Sequence, residues 1–258
     1  MKRTLAALFG SILILSACSG GEEEQPGEEN TSEKTADQTA DENAEENTEE
    51  NTEGTAQHSD ITSAELIQNA VENSDGITSY EARQSFNITM SDEESTIRTI
   101  MTYGGQSEFK LSVNNNGDIV THYVVEGDHF MYSGNEVIDT EETMEIEGSD
   151  YQTIVASLEN YPEGEVSELE EGYALTINVT DMSGFSNLLD EETLMAVEAA
   201  ESINGTMQLY FDAEYKFTGS ELTADLVDEG ENITIHSTVD YTNIDNVDMI
   251  EKPHNMTE

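Results

Sequence analysis

Tryptophan is absent, cysteine occurs once and proline three times, and eight lysines and arginines face 57 aspartates and glutamates across 258 residues. Each shortage excludes something. A formal net charge of −49 leaves no basic surface, and nucleic-acid affinity rests on neutralising phosphates with Lys and Arg. The same deficit argues against docking on anionic lipid head groups through a basic patch. A single cysteine permits no disulfide within the chain, so the fold is held by its core alone even in an oxidising compartment. The lack of tryptophan weakens any sugar-stacking site. Acid spread this evenly is a solvation device that keeps a protein apart from its neighbours at the cost of self-repulsion.

The lone cysteine has a context. Lys2 and Arg3 precede an apolar stretch from Leu5 to Leu15, which leads into Leu15-Ser16-Ala17-Cys18. A positive start, a short apolar run and small residues before a cut describe a secretory signal. The run falls well short of the ~20 residues that cross a bilayer as a helix, and no later segment is as apolar. Leu-Ser-Ala-Cys resembles the bacterial lipobox, which implies that Cys18 receives a diacylglycerol and becomes the mature N-terminus. Each buried methylene contributes ~0.8 kcal/mol, so two acyl chains hold a protein where one does not. The expected location is the extracytoplasmic face of a cell membrane, with the membrane as the first partner. An ordinary signal with an incidental cysteine is the plainer alternative.

Residues 19–59 hold 14 acidic residues against Lys34 and no aromatic residue, and they repeat as Thr35-Ala36-Asp37, Thr39-Ala40-Asp41 and Asn47-Thr48-Glu49, Asn51-Thr52-Glu53. Such a segment buries too little apolar surface to offset its conformational entropy. At ~3.3 Å per residue it reaches ~130 Å when fully extended. The expected division is therefore a signal peptide at 1–17, a lipidated cysteine with an acidic tether at 18–59, and one domain at 60–258.

The domain opens with Thr62-Ser63-Ala64-Glu65, a capping-box pattern, followed by Leu66, Ile67, Ala70 and Val71 at helical spacing. From Tyr80 the period becomes two: Tyr80, Ala82, Phe86, Ile88 and Met90 share one strand face. Strand-like runs follow at 96–103, 108–113, 119–126, 129–133 and 136–138, joined by turns such as Asn114-Asn115-Asn116-Gly117. A helix is expected from Tyr151 to Leu158, ended by Tyr161-Pro162, and another across Ser183–Ser202. A strand pair lies between them at 165–170 and 173–179. Three long strands close the chain at 205–212, 215–227 and 232–242. One helix followed by about ten antiparallel strands reads as an α+β domain.

The order of these elements resembles the LolA-like lipoproteins of Gram-positive bacteria, in particular the DUF6612 group. The likeness runs over residues 61–253. Its motifs are Ile77-Thr78-Ser79-Tyr80, Leu209-Tyr210-Phe211-Asp212-Ala213-Glu214-Tyr215, Val239-Asp240-Tyr241-Thr242-Asn243-Ile244-Asp245 and Ile250-Glu251-Lys252-Pro253. It implies a half-open antiparallel β-barrel wrapped round one or more helices, with an apolar cavity that carries or senses acyl chains. A lipid anchor and a long acidic tether depart from the freely shuttling members of that family.

Candidates for the concave face are Phe86, Ile88, Met90, Met101, Phe109, Leu111, Val124, Phe130, Met131, Met207, Leu209, Phe211, Phe217 and Leu222. Ten methionines suit a pocket that accommodates variable apolar ligands. Packing of the same side chains against the helices is the simpler reading, and the helix at 183–202 serves equally as lid or core. The histidines are scattered. His122 and His129 lie across a hairpin that can bring them together, yet no further Cys or His completes a zinc site, and no metal or cofactor is expected. Asp190-Glu191-Glu192 and Asp139-Thr140-Glu141-Glu142 lack the ligand alternation of a calcium loop. No nucleophile elbow or phosphate loop is present, so an enzyme is not expected. The sequence leaves three functions open: a tethered module binding a lipid or other apolar ligand, a cell-surface protein-interaction module without a cavity, and a hydrolase using carboxylates.

Overall fold

The computed structural model describes residues 57–91, 93–105, 108–134, 136–139, 144, 146, 148–180, 200–228 and 230–252. The predicted helix at 183–202 lies almost entirely outside them. Its last residue, Ser202, instead begins a strand.

Helix α1, Ser63–Ser74, starts where the capping box places it. Thr62 accepts from the Glu65 amide at 3.2 Å, and the Glu65 carboxylate accepts from the Thr62 amide at 3.0 Å. Leu66, Ile67 and Ala70 form its buried stripe. Helix α2, Tyr151–Ser157, is capped by Asp150, continues as a 3₁₀ turn at Leu158–Asn160 and stops before Pro162.

The strands are β1 (Gln57–His58), β2 (Tyr80–Met90), β3 (Glu93–Tyr103), β4 (Glu108–Asn115), β5 (Asp118–Val125), β6 (Asp128–Ser133), β7 (Glu136–Asp139), β8 (Glu165–Leu169), β9 (Gly172–Val179), β10 (Ser202–Asp212), β11 (Phe217–Asp228) and β12 (Glu231–Thr242). They form one open antiparallel sheet in the order β1-β8-β9-β10-β11-β12-β2-β3-β4-β5-β6-β7. Two meanders, β2–β7 and β8–β12, are sewn together where β12 pairs with β2 from Ile233↔Met90 to Thr242↔Glu81. The expected α+β, half-open antiparallel arrangement is what the chain adopts.

Turn chemistry sets the hairpins. Asn116 and Gly117 both have positive φ, 50° and 103°, as a two-residue type I′ turn requires, and they join β4 to β5. In mid-sheet Gly219 has room for no side chain, because a Cβ there would lie 2.2 Å from the Val239 carbonyl oxygen.

Topology also places α2. Strands β7 and β8 lie ten positions apart in the sheet, about 48 Å at strand spacing. The connection between them must therefore cross the sheet, and α2 is the part that docks on its centre. One apolar cluster unites α1, α2 and the inner face of the sheet.

Two features were not anticipated. Gln57 and His58, assigned by composition to the tether, pair with Glu168 and Ser167 as β1. The C-terminal segment lies across the outer face of β3–β5 as a strap. Asp245 is bonded to Ser79 and Thr78, each at 2.8 Å, and the Ile250 amide donates to Glu108 at 3.2 Å. Lys252 reaches Glu126 at 3.4 Å and Asp128 at 3.8 Å.

Candidate functional site

Strand register assigns each candidate to a face. Phe86, Ile97, Met207 and Leu222 fall on connected inner positions through Ser237, as do Met101, Leu111 and His122 further along. Twelve of the candidates belong to the inner apolar cluster or pack against it: Phe86, Ile88, Met90, Met101, Phe109, Leu111, Val124, Met207, Leu209, Phe211, Phe217 and Leu222. Phe130 and Met131 are chain neighbours in a strand, so they cannot share a face. Phe130 is the one on the outer side, stacked on Tyr123 at 5.1 Å and lying outside the inner cluster. Met131 is half-buried on the inner side, opposite His122.

The inner face has three zones. Where the helices dock it is aromatic: Tyr80 lies 5.6 Å from Tyr103, 5.9 Å from Tyr151 and 5.5 Å from Tyr241, and Phe217 lies 5.3 Å from Tyr241. The Tyr80 hydroxyl donates to the Ser149 carbonyl, and the Tyr151 hydroxyl to the Phe217 carbonyl at 2.6 Å. Burial pushes the hydroxyls of Tyr80, Tyr151, Tyr161 and Tyr241 well above the ordinary tyrosine range. Tyr161 is set apart, for its buried hydroxyl has no hydrogen-bond partner.

Next comes a polar stripe. Gln84, Thr99, Ser220 and Ser237 are buried, and the Gln84 amide is held only by long bonds, 3.5 Å to Ser237 and 3.5 Å from Thr99. Beyond it the face is aliphatic, with Ile88, Met90, Met207, Leu222, Ala224, Leu226, Ile233 and Ile235. Residues 181–199 connect β9 to β10 at that far end and lie outside the described residues.

Grooves among the described residues lie elsewhere. One of about 630 Å³ runs under the C-terminal strap, between Met249 and the Lys110–Tyr123 pair. Another of about 570 Å³ lies between the start of α1 and β8.

Of the histidines, His122 and His129 do meet, with Nδ1 of the first 3.3 Å from Nε2 of the second. His236 is on the outer face, 3.2 Å from the Thr223 hydroxyl. His58 falls in β1, and His254 lies outside the described residues. Asp190-Glu191-Glu192 also lies outside them, as do Thr140, Glu141 and Glu142. Among the described residues no three His, Cys, Asp or Glu side chains cluster as a metal site, and no helix is long and apolar enough to cross a membrane.

Sequence reasoning missed Gln84 and the tyrosine cluster. Gln84 was legible, since it occupies an inner position in the Tyr80-to-Met90 alternation. The convergence of Tyr151 and Tyr161 on Tyr80 and Tyr241 was not, because it depends on the crossover.

No protein-family model and no curated protein sequence matches the chain. Solved structures similar to it include LprF from Mycobacterium bovis, at 10% identity and a TM-score of 0.38, over 73% of this chain and 95% of that one. A LolA superfamily protein from Nitrosomonas europaea is similar at 10% identity and a TM-score of 0.26, over 77% and 98%. A DUF1329 family protein from Desulfovibrio piger is similar at 11% identity and a TM-score of 0.26, over 75% and 98%. At these values the functional reading rests on the chain's own geometry.

Proposed function

We propose that the chain is a lipoprotein held by a lipidated Cys18 on the extracytoplasmic face of a Gram-positive membrane, where its half-open sheet binds a lipid or other apolar ligand. The observation that carries the binding role is the division of the inner face into an aromatic end, where α2 docks, and an aliphatic end beyond the Gln84 stripe. The aliphatic remainder carries flexible thioethers, which adapt to ligands of variable shape. The polar stripe at Gln84 can receive a head-group carbonyl or hydroxyl in place of its long internal bonds. The kinship implied by the sequence motifs, with the LolA-like lipoproteins, points the same way.

Acquired ligand is the direct test. Native mass spectrometry of the purified chain should show a co-purifying lipid, and a fluorescent fatty acid should bind and be displaced by unlabelled acid. Leu222→Trp, which fills the aliphatic zone, should abolish uptake while preserving the circular dichroism of the sheet. Binding unchanged by Leu222→Trp would sink the inner-face assignment. For the anchor, Cys18→Ala should move the protein from the membrane fraction to the medium, with loss of the diacylglyceryl mass from its N-terminal peptide.

A further inference from the structure

The β5–β6 hairpin carries a constellation that the apolar-ligand reading does not use. His122 Nδ1 and His129 Nε2 are 3.3 Å apart, with ring centroids at 5.5 Å and planes 17° from parallel. Met131 stands opposite His122 in the register and two residues past His129 on the same face. Opposed residues of this kind have Cβ atoms ~5 Å apart, and methionine brings a flexible thioether to that position. All three residues are half-buried, so solvent reaches them. Their neighbours in the register are apolar: Leu111 opposite His122, Val124 opposite His129 and Ile138 opposite Met131.

We propose that His122, His129 and Met131 form a three-coordinate site for copper(I). At a metal–nitrogen distance of ~2.0 Å, nitrogens 3.3 Å apart subtend about 110° at a shared ion. That angle leaves a third ligand position, which the Met131 thioether, on the same face and opposite His122 in the register, would fill. In the apo pair one proton bridges the two nitrogens. When the ion takes the bridging position, that proton passes through solvent to the outer nitrogen left bare in the apo pair, so the two ring protons then sit on His122 Nε2 and His129 Nδ1. Both imidazoles coordinate in their neutral form.

Donor chemistry selects the metal. Thioether and imidazole donors together suit copper(I), whereas calcium and magnesium require oxygen ligands. The adjoining register positions on this face of β4, β5 and β6 supply no carboxylate, with the Ser133 hydroxyl the one side-chain oxygen among them. A structural zinc site takes four protein ligands from Cys, His and carboxylate, and no third His, Cys, Asp or Glu joins the pair among the described residues.

The test uses the full chain in detergent with Cys18→Ala, so that the lone thiol does not compete. Copper(I), kept reduced with ascorbate, is titrated against bicinchoninate. One ion per chain should be retained, with affinity lowered on the order of 100-fold by His122→Phe or His129→Phe and about tenfold by Met131→Leu. X-ray absorption at the copper edge should show two nitrogen scatterers and one sulfur, the sulfur lost in Met131→Leu. Retention of copper by the double variant His122→Phe/His129→Phe at parental affinity would overturn the assignment. A parent spectrum without sulfur would do the same. Should a histidine variant fail to fold, the Met131→Leu spectrum decides alone: an unchanged sulfur signal refutes the site.

Discussion

At the end of the inner face where the helices dock, the side chains are aromatic and tied by hydroxyl-to-carbonyl hydrogen bonds; at the far end they are aliphatic or thioether. The Tyr80 and Tyr151 hydroxyls reach Ser149 and Phe217, so the aromatic end specifies one packing, and loosening it strands a buried acceptor. Leu222, Met207 and Ile235 hold their places by shape, and shape is met by several arrangements at small cost. A protein that must keep its helices fixed and its cargo space adaptable has reason to divide its core in this way.

Alkaline pH should expose the division most strongly. Tyr80, Tyr151, Tyr161 and Tyr241 bind their protons more tightly folded than unfolded, so their contribution is fully present below the ordinary value of 10.0. It is lost as pH rises beyond that value, at about 1.4 kcal/mol per pH unit per tyrosine. Urea midpoints measured from pH 8 to 11 should fall steeply above pH 10, and a flat profile would refute the buried cluster.

Truncation comes next. Tyr151→Ala removes a buried ring and orphans the Phe217 carbonyl, costing about 4 kcal/mol, whereas Leu222→Ala should cost about 2–3 kcal/mol. Equal losses by urea denaturation would erase the distinction between the two ends. Hydroxyl deletion sharpens it within the aromatic end. Tyr151→Phe should cost about 1–2 kcal/mol, while Tyr161→Phe, which removes an unpartnered hydroxyl, should raise stability by up to ~1 kcal/mol. Opposite signs are expected in the same thermal melt. Smallest of all, Met207→Leu at the far end should shift stability by less than ~1.5 kcal/mol.

Local rules carried the sequence reading far. The Thr62–Glu65 capping box placed α1 to the residue, the alternation from Tyr80 to Met90 gave β2, and Asn116-Gly117 gave its hairpin, because each is decided within a few residues. Phe130 was misassigned where two large apolar neighbours in one strand were counted on one face, although alternation forbids it. The aromatic end was beyond reach for a different reason: Tyr80 and Tyr241 meet through the long-range pairing of β2 with β12, and only the crossover between β7 and β8 brings Tyr151 to them. Composition concealed β1, since a polar segment without apolar content can still pair its backbone with an open edge, while the strap depends on contacts such as Ile250 with Glu108 that are distant in sequence. His122 and His129 were foreseen as neighbours, but the contribution of Met131 requires the register of β5 on β6.

The two residues of β1 also bear on how the domain responds to force. Residues 1–56 join the sheet through Gln57 and His58, which pair with β8 alone, helped by the Ser59 amide bonded to the Val166 carbonyl at 3.3 Å. Tension arriving from the N-terminal side loads these few bonds in succession and not together. They peel at a pull too weak to open the long ladders of β10–β12 and β2. A domain suspended by that end would pay out a short length of chain under strain, leaving its inner face undisturbed.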